Sequence, residues 1–124
     1  MKGSRILVVD DDPDVLEMAN CFFGNVGLDV HCAASGDEAL GKVLDSGFAL
    51  IITDFQMPGM NGLELAAKIR EITPPTPIIM ITGKPSQELT DLAEEAGIKM
   101  VLHKPLHPEK ILNLLNETIQ STSS

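Results

Sequence analysis

Four apolar runs in this sequence end on a group that can do chemistry. "ILVV" leads into Asp10, Asp11 and Asp12, "ALIIT" into Asp54, "IIMI" into Thr82 and "KMVLH" into Lys104. Carboxylates crowded together repel one another, and some take up protons unless a cation neutralises them. Asp10 or Asp11, with Asp54, supplies hard oxygen ligands. Mg²⁺ suits a few carboxylates plus waters and a phosphate oxygen better than it suits a full protein cage. Lys104 adds a positive charge and Thr82 a hydroxyl donor. Metal, ammonium and hydroxyl together would neutralise a phosphoryl group in transit. A carboxylate can itself accept the phosphoryl group, giving an aspartyl-phosphate.

Taken singly, these residues are ordinary. A strand-end Asp commonly caps a helix or holds a turn, and a lone lysine is commonly solvated. Asp10, Asp12 and Asp14 alternate like a calcium loop, but no Gly follows Asp14 and the twelfth place is Cys21 rather than Glu, which excludes an EF-hand. An aspartate-nucleophile phosphatase would want Thr or Val four residues after its leading Asp. Asp14 and Leu16 hold those places after Asp10 and Asp12, and the chain lacks room for a substrate-covering cap. His31, His103 and His107 are scattered, none clearly on an exposed helix face, and read as structural or surface residues.

The elements that must position these groups follow from the hydrophobic period. "RILVVD", "ALIITD", "IIMIT" and "KMVLHK" read as strands, and the alternating "LDVHCA" as a strand with one less-buried face at a sheet edge. Helical spacing links Val15, Met18, Ala19, Phe22 and Val26, stopped by Gly27. Ser35 and Glu38 form a capping box ahead of Ala39, Leu40, Val43 and Leu44. Leu63, Ala66, Ile69 and Ile72 mark a third helix, ended by "TPPTP". Ser86 caps a fourth, with Leu89, Leu92, Ala93 and Ala96 before Gly97. Pro108 opens a fifth, with Ile111, Leu112, Leu114, Leu115 and Ile119, and residues 120–124 form a frayed tail. Five such βα units predict an α/β fold, a doubly wound parallel sheet with helices on both faces. Sites in these sheets lie at the carboxyl ends of the strands, near the point where strand order reverses. Asp10, Asp54, Thr82 and Lys104 are therefore expected at one edge.

A chain of 124 residues fits one domain, here 1–124, with its core at about residues 5–119. With no Trp, no Tyr and four Phe, the core must be aliphatic. The net charge of −9 would be repelled by a phosphate backbone, which argues against direct nucleic-acid binding. No apolar run approaches a membrane span and no signal peptide is visible, so no membrane insertion and a cytoplasmic location are expected. Cys21 and Cys32 read as reduced, small core residues.

"ILVVDDD", "IITDFQMPGMNG", "MITG" and "HKPL" resemble, in order and spacing, the receiver domains of two-component response regulators, over about Arg5 to Ile119. The resemblance implies the flavodoxin-like strand order 2-1-3-4-5, which is the order known for the chemotaxis member of this family rather than one read from periodicity. It implies that Asp54 is the phosphoacceptor and that Asp10 and Asp11 position Mg²⁺, with Asp11 a direct ligand and the backbone carbonyl of Gln56 another. Thr82 would hydrogen-bond the phosphoryl group and Lys104 would pair with it. The bond before Pro105 is cis in the family. Asp12 either is solvated or caps the first helix.

The chain departs from the family at Val101, where an aromatic rotamer switch often stands three residues before the lysine. The resemblance implies a phosphorylation-controlled switch rather than an enzyme, served by a sensor histidine kinase or phosphotransfer protein. Its output is expected in a partner or in a domain outside this sequence. A small hydrolase acting through Asp54 on free phosphorylated metabolites, and a degenerate receiver serving only as a docking surface, are the competing readings.

Overall fold

The computed structural model describes the backbone of residues 3–123 and the side chains through residue 117. Strands β1 (Arg5–Val9), β2 (Asp29–Ala33), β3 (Leu50–Asp54), β4 (Ile78–Thr82) and β5 (Met100–His103) alternate with helices α1 (Pro13–Asn25), α2 (Gly36–Asp45), α3 (Gly62–Ile72), α4 (Gln87–Glu95) and α5 (Pro108–Ser123). The side chain of Ile119 and the terminal Ser124, on which part of the expected core and tail fell, lie outside the described residues. All strand pairs are parallel and the order is β2-β1-β3-β4-β5, as the resemblance implied. β2 lies at an edge, as its alternating sequence predicts.

Every residue of β3 and β4 is buried, because both faces of the sheet are covered. Leu7, Val9, Ile51, Ile78 and Met80 pack with Ala39, Leu65 and Leu89 of α2, α3 and α4. Ile6, Val8, Leu50, Ile52, Ile79 and Ile81 pack with Ala19 and Phe23 of α1 and with Ile111 and Leu115 of α5. Successive strand residues thus alternate between the two layers. This alternation carries through to the strand ends. Asp54 follows Leu50 and Ile52 toward the α1/α5 layer, whereas Thr82 follows Ile78 and Met80 toward the α4 layer.

The helices start and stop for local reasons. Ser35, Asn61 and Ser86 each accept a backbone N–H at the first turn. The reciprocal capping box belongs to Asn61 and Glu64. At α2, Ser35 caps as expected, but Glu38 reaches past it to the amide of Ala34. Gly27 and Gly97 follow α1 and α4 at φ +93° and +86°, a conformation side-chain-bearing residues rarely adopt.

Several expected core positions are corrected. Phe23, not Phe22, is the fully buried aromatic of α1, and Leu65 joins Ala66 and Ile69 in α3. Val26, Leu44, Ile72 and Leu92 are exposed, Leu44 at 69%. α2 and α4 rest on the sheet through narrow i, i+4 lines, Ala39–Val43 and Leu89–Ala93, so Leu44 and Leu92 fall off the flank. Val26 is already past the end of α1 as its C-cap, and Ile72 is the last residue of α3. Cys21 is exposed and Cys32 half-buried, so neither is the core residue expected; Cys21 lies on α1 away from the buried line of Ala19 and Phe23.

Gly62 fixes how closely α3 approaches the site. A Cβ there would stand 2.6 Å from the backbone carbonyl oxygen of Asp54 and 3.1 Å from the Cα of Phe55. Alanine would gain less helix propensity than the roughly 1 kcal/mol it gains in a helix interior, because Gly62 is the first residue of α3. Overpacking against backbone, which cannot swing aside, costs about 1–3 kcal/mol. Gly62→Ala is expected to lower the thermal midpoint and to shift the Asp54 and Phe55 amide resonances; a raised midpoint would show that the helix absorbs the added carbon.

Candidate functional site

The hydrogen-bonded ladder of the sheet runs one residue past the strands where the polar groups stand. The amide of Asp10 donates to Ala33 O, that of Phe55 to Ile81 O and that of Lys104 to Thr82 O, at 3.1, 2.9 and 2.8 Å. The carboxyl edge is therefore as well held as the strands themselves. From it Asp10, Asp11, Asp54, Gln56 and Lys104 line a cleft of about 620 Å³, whose apolar lining includes Val15, Met18, Ile81 and Leu106.

Asp54 is 5% exposed. The Lys104 ammonium lies 3.0 Å from its Oδ1 and donates a hydrogen bond to Oδ2 at 3.2 Å. Oδ1 feels that charge without an aligned donor and accepts no hydrogen bond, although it is buried. A buried carboxylate oxygen in this state has its charge met by the ammonium but lacks a hydrogen bond, so only part of its desolvation cost is recovered. The lysine side chain remains 44% exposed. Burial alone would depress the ammonium's pKa, but the hydrogen bond and charge of Asp54, with the charges of Asp10 and Asp11, outweigh it and hold the pKa above the ordinary 10.5.

Asp10 is also buried, and its Oδ1 accepts the amide of Asp12 at 2.9 Å. Asp12 in turn caps α1, its carboxylate accepting the amide of Asp14 at 2.9 Å, which settles the two roles open for it. Burial raises the pKa of Asp10 from 3.8 to about 6; the Asp12 amide and Lys104 oppose the rise, and the charges of Asp54 and Asp11 add to it. Ligand atoms of Asp10, Asp11 and Asp54 all lie within 4.8 Å of one another, a group that could hold a metal ion. The orphaned Oδ1 of Asp54 and the all-oxygen donor set fit a hard divalent cation.

Thr82 stands apart from this group. It is buried at the edge, yet it does not line the cleft, and its Oγ1 accepts the amide of Lys84 at 3.1 Å. The reading of run ends located its edge but not its face; counting "IIMIT" in twos from Ile78 would have found it. Val101 lies opposite Met80 in register and packs half-buried on the same layer as Thr82. The Lys104–Pro105 bond is cis. Leu106, Val15 and Met18, as walls of the cleft, carry no polar signal and were not legible as site residues.

The response regulator receiver domain model matches residues 6–116. The chain belongs to that family, the receiver domains of two-component signalling. The transcriptional regulatory protein ResD of Bacillus subtilis (strain 168) is 34% identical over 109 residues, 88% of this chain and 45% of ResD. The chain spans about half the length of the curated relatives it matches. A CheY-like receiver domain protein from Methanospirillum hungatei JF-1 superposes with a TM-score of 0.87 at 33% identity, covering 97% of this chain and 99% of that one. The chemotaxis protein CheY4 of Vibrio cholerae gives 0.88, also at 33% identity, covering 94% and 98%. Among the described residues no helix is long and apolar enough to cross a membrane.

The shifted Asp10 makes stability depend on pH. Its folded pKa lies above the unfolded one, so the folded state binds the proton more tightly. That contribution is complete below pH 3.8 and is lost as pH rises through about 6. Asp10→Asn keeps an acceptor for the Asp12 amide and removes the charge. Without added metal it is expected to raise stability at pH 7 by about 2 kcal/mol and to flatten the dependence between pH 4 and 6, measured by urea unfolding. An Asn variant less stable than wild type at pH 7 would contradict the assigned cause.

Proposed function

We propose that residues 1–124 act as one cytoplasmic receiver domain whose Asp54 takes a phosphoryl group from the phospho-histidine of a sensor kinase or phosphotransfer protein. The observation that carries this reading is a buried carboxylate with one oxygen free of hydrogen bonds, set between a partly exposed lysine and two further carboxylates. In the transfer a carboxylate oxygen of Asp54 forms a bond to phosphorus as the phosphorus–nitrogen bond to the donor imidazole breaks, and the imidazole leaves with its electron pair and takes a proton. Asp10, Asp11, Asp54 and the backbone carbonyl of Gln56 would hold Mg²⁺, which supplies neutralisation of the phosphoryl oxygens and of the crowded carboxylates.

Lys104 balances the charge of Asp54 before transfer and passes to a phosphoryl oxygen after it. Its 44% exposed side chain leaves it free to make that move. Thr82 donates its hydroxyl to another oxygen. To do so it turns from the layer it now faces, and the Lys84 amide loses its acceptor. With a valine at position 101 there is no ring to swing. The phosphorylated state is then read from the loop at residues 83–86 and from α4. The output lies in a partner or in a domain outside this sequence, and the net charge of −9 argues against nucleic acid as the direct target of these residues.

Intact-mass measurement with acetyl phosphate and Mg²⁺ is expected to show one added phosphoryl group per chain, absent without Mg²⁺ and absent in Asp54→Asn. Equal labelling of the Asn variant would remove Asp54 from the acceptor role. Rapid multiple turnover of a small phosphomonoester would favour the hydrolase reading instead.

A further inference from the structure

His103 is the last residue of β5, immediately before Lys104, and has no part in the chemistry above. Its register partner on β4 is Thr82. The strand alternation that sends Leu102 to the α1/α5 layer sends His103 the other way, toward Thr82 and the start of the loop to α4. There its Nε2 lies 3.2 Å from the carbonyl oxygen of Gly83. A carbonyl oxygen only accepts, so Nε2 carries the proton and donates. The neutral Nε2–H ring and the imidazolium can both donate this bond.

Three bonds therefore hold the turn at Thr82. The Lys104 amide donates to Thr82 O, the Lys84 amide to Thr82 Oγ1 and the His103 ring to Gly83 O. The first belongs to the sheet. The second is the one the hydroxyl gives up to reach a phosphoryl group. The third is a side-chain latch, in reach only because position 103 faces this loop and carries a donor.

We propose that His103 is a positioning residue that holds the loop at residues 83–86 in its resting place, and so sets how readily Thr82 can turn toward Asp54. The coupling to Asp54 rests on the proposed function of Thr82; the latch itself does not. The bond is exposed, so its effect is modest, about threefold in an equilibrium.

Two variants separate the donor from the ring. His103→Phe keeps a ring and removes the donor. His103→Gln places an amide nitrogen the same number of bonds from the backbone. Amide exchange at Lys84, whose N–H is held by Thr82, is measured in the unphosphorylated protein, and half-saturation by beryllium trifluoride with Mg²⁺ is measured beside it. In His103→Phe, exchange at Lys84 is expected to rise about threefold and half-saturation to fall by a similar factor, with the thermal midpoint held. In His103→Gln both are expected to stay at wild-type values. Unchanged exchange in the Phe variant overturns the latch, and a Gln variant that behaves like Phe assigns the effect to ring packing and overturns it as well. Faster exchange with unchanged half-saturation overturns the coupling to Asp54. A wild type that binds no trifluoride removes the proposed function, while the exchange comparison still decides whether the latch exists.

Discussion

A carboxylate taken almost wholly out of water must be answered by positive charge, and Asp54 has one lysine to answer it. Lys104 stands 3.0 Å from Oδ1 and 3.2 Å from Oδ2, and still leaves Oδ1 without a hydrogen bond. Asp10 and Asp11 crowd the same place and push charge in the wrong direction. Burying charges in this way stabilises a fold poorly, because desolvation offsets the Coulombic gain and a poorly matched pair does not recover it. The strain of like charges is therefore carried by the rest of the molecule. An aliphatic sheet buried on both faces supplies the stability, and its backbone ladder, continued past the strand ends to Asp10, Phe55 and Lys104, holds the repelling groups together.

The sheet also divides the edge in two. Asp10, Asp54 and Lys104 line the cleft on the α1/α5 side. Thr82, Val101 and His103 belong to the α4 side. The chemistry of the acidic cluster and the motion that would report it are thus set on opposite layers of one sheet, one residue apart in each strand's alternation. In the proposed function Thr82 is the residue that crosses between them; in the structure its hydroxyl accepts the Lys84 amide on its own side. On the α4 side of this edge Val101 stands where the family often has an aromatic ring.

The strands, the two-layer arrangement and the acidic edge were legible because each rests on a short-range pattern: continuous apolar runs, Gly and Pro stops, and polar residues at run ends. The strand order was not in those patterns and came with the family resemblance. Helix faces were less legible. Leu44 and Leu92 fit the helical period, yet α2 and α4 touch the sheet through narrow lines that the period does not locate. The capping box at Asn61 and Glu64 brackets the start of α3 with polar residues, which carry no hydrophobic period. Thr82 was placed on the right edge with no side assigned, since a run end states where a strand stops and only its parity states where the side chain points. The His103 contact with Gly83 depends on the distance between two strands and a loop, which no local pattern contains.

In the proposed function Asp54 gives up its pairing with Lys104 to carry a phosphoryl group. A crystal structure of the protein with Mg²⁺ and beryllium trifluoride tests this most directly. The expected result is trifluoride bonded to a carboxylate oxygen of Asp54, with the Lys104 ammonium moved from Asp54 to a fluorine and the Lys84 amide released from Thr82. Trifluoride absent from Asp54, with Lys104 still bridging both of its oxygens at saturating reagent, would contradict it.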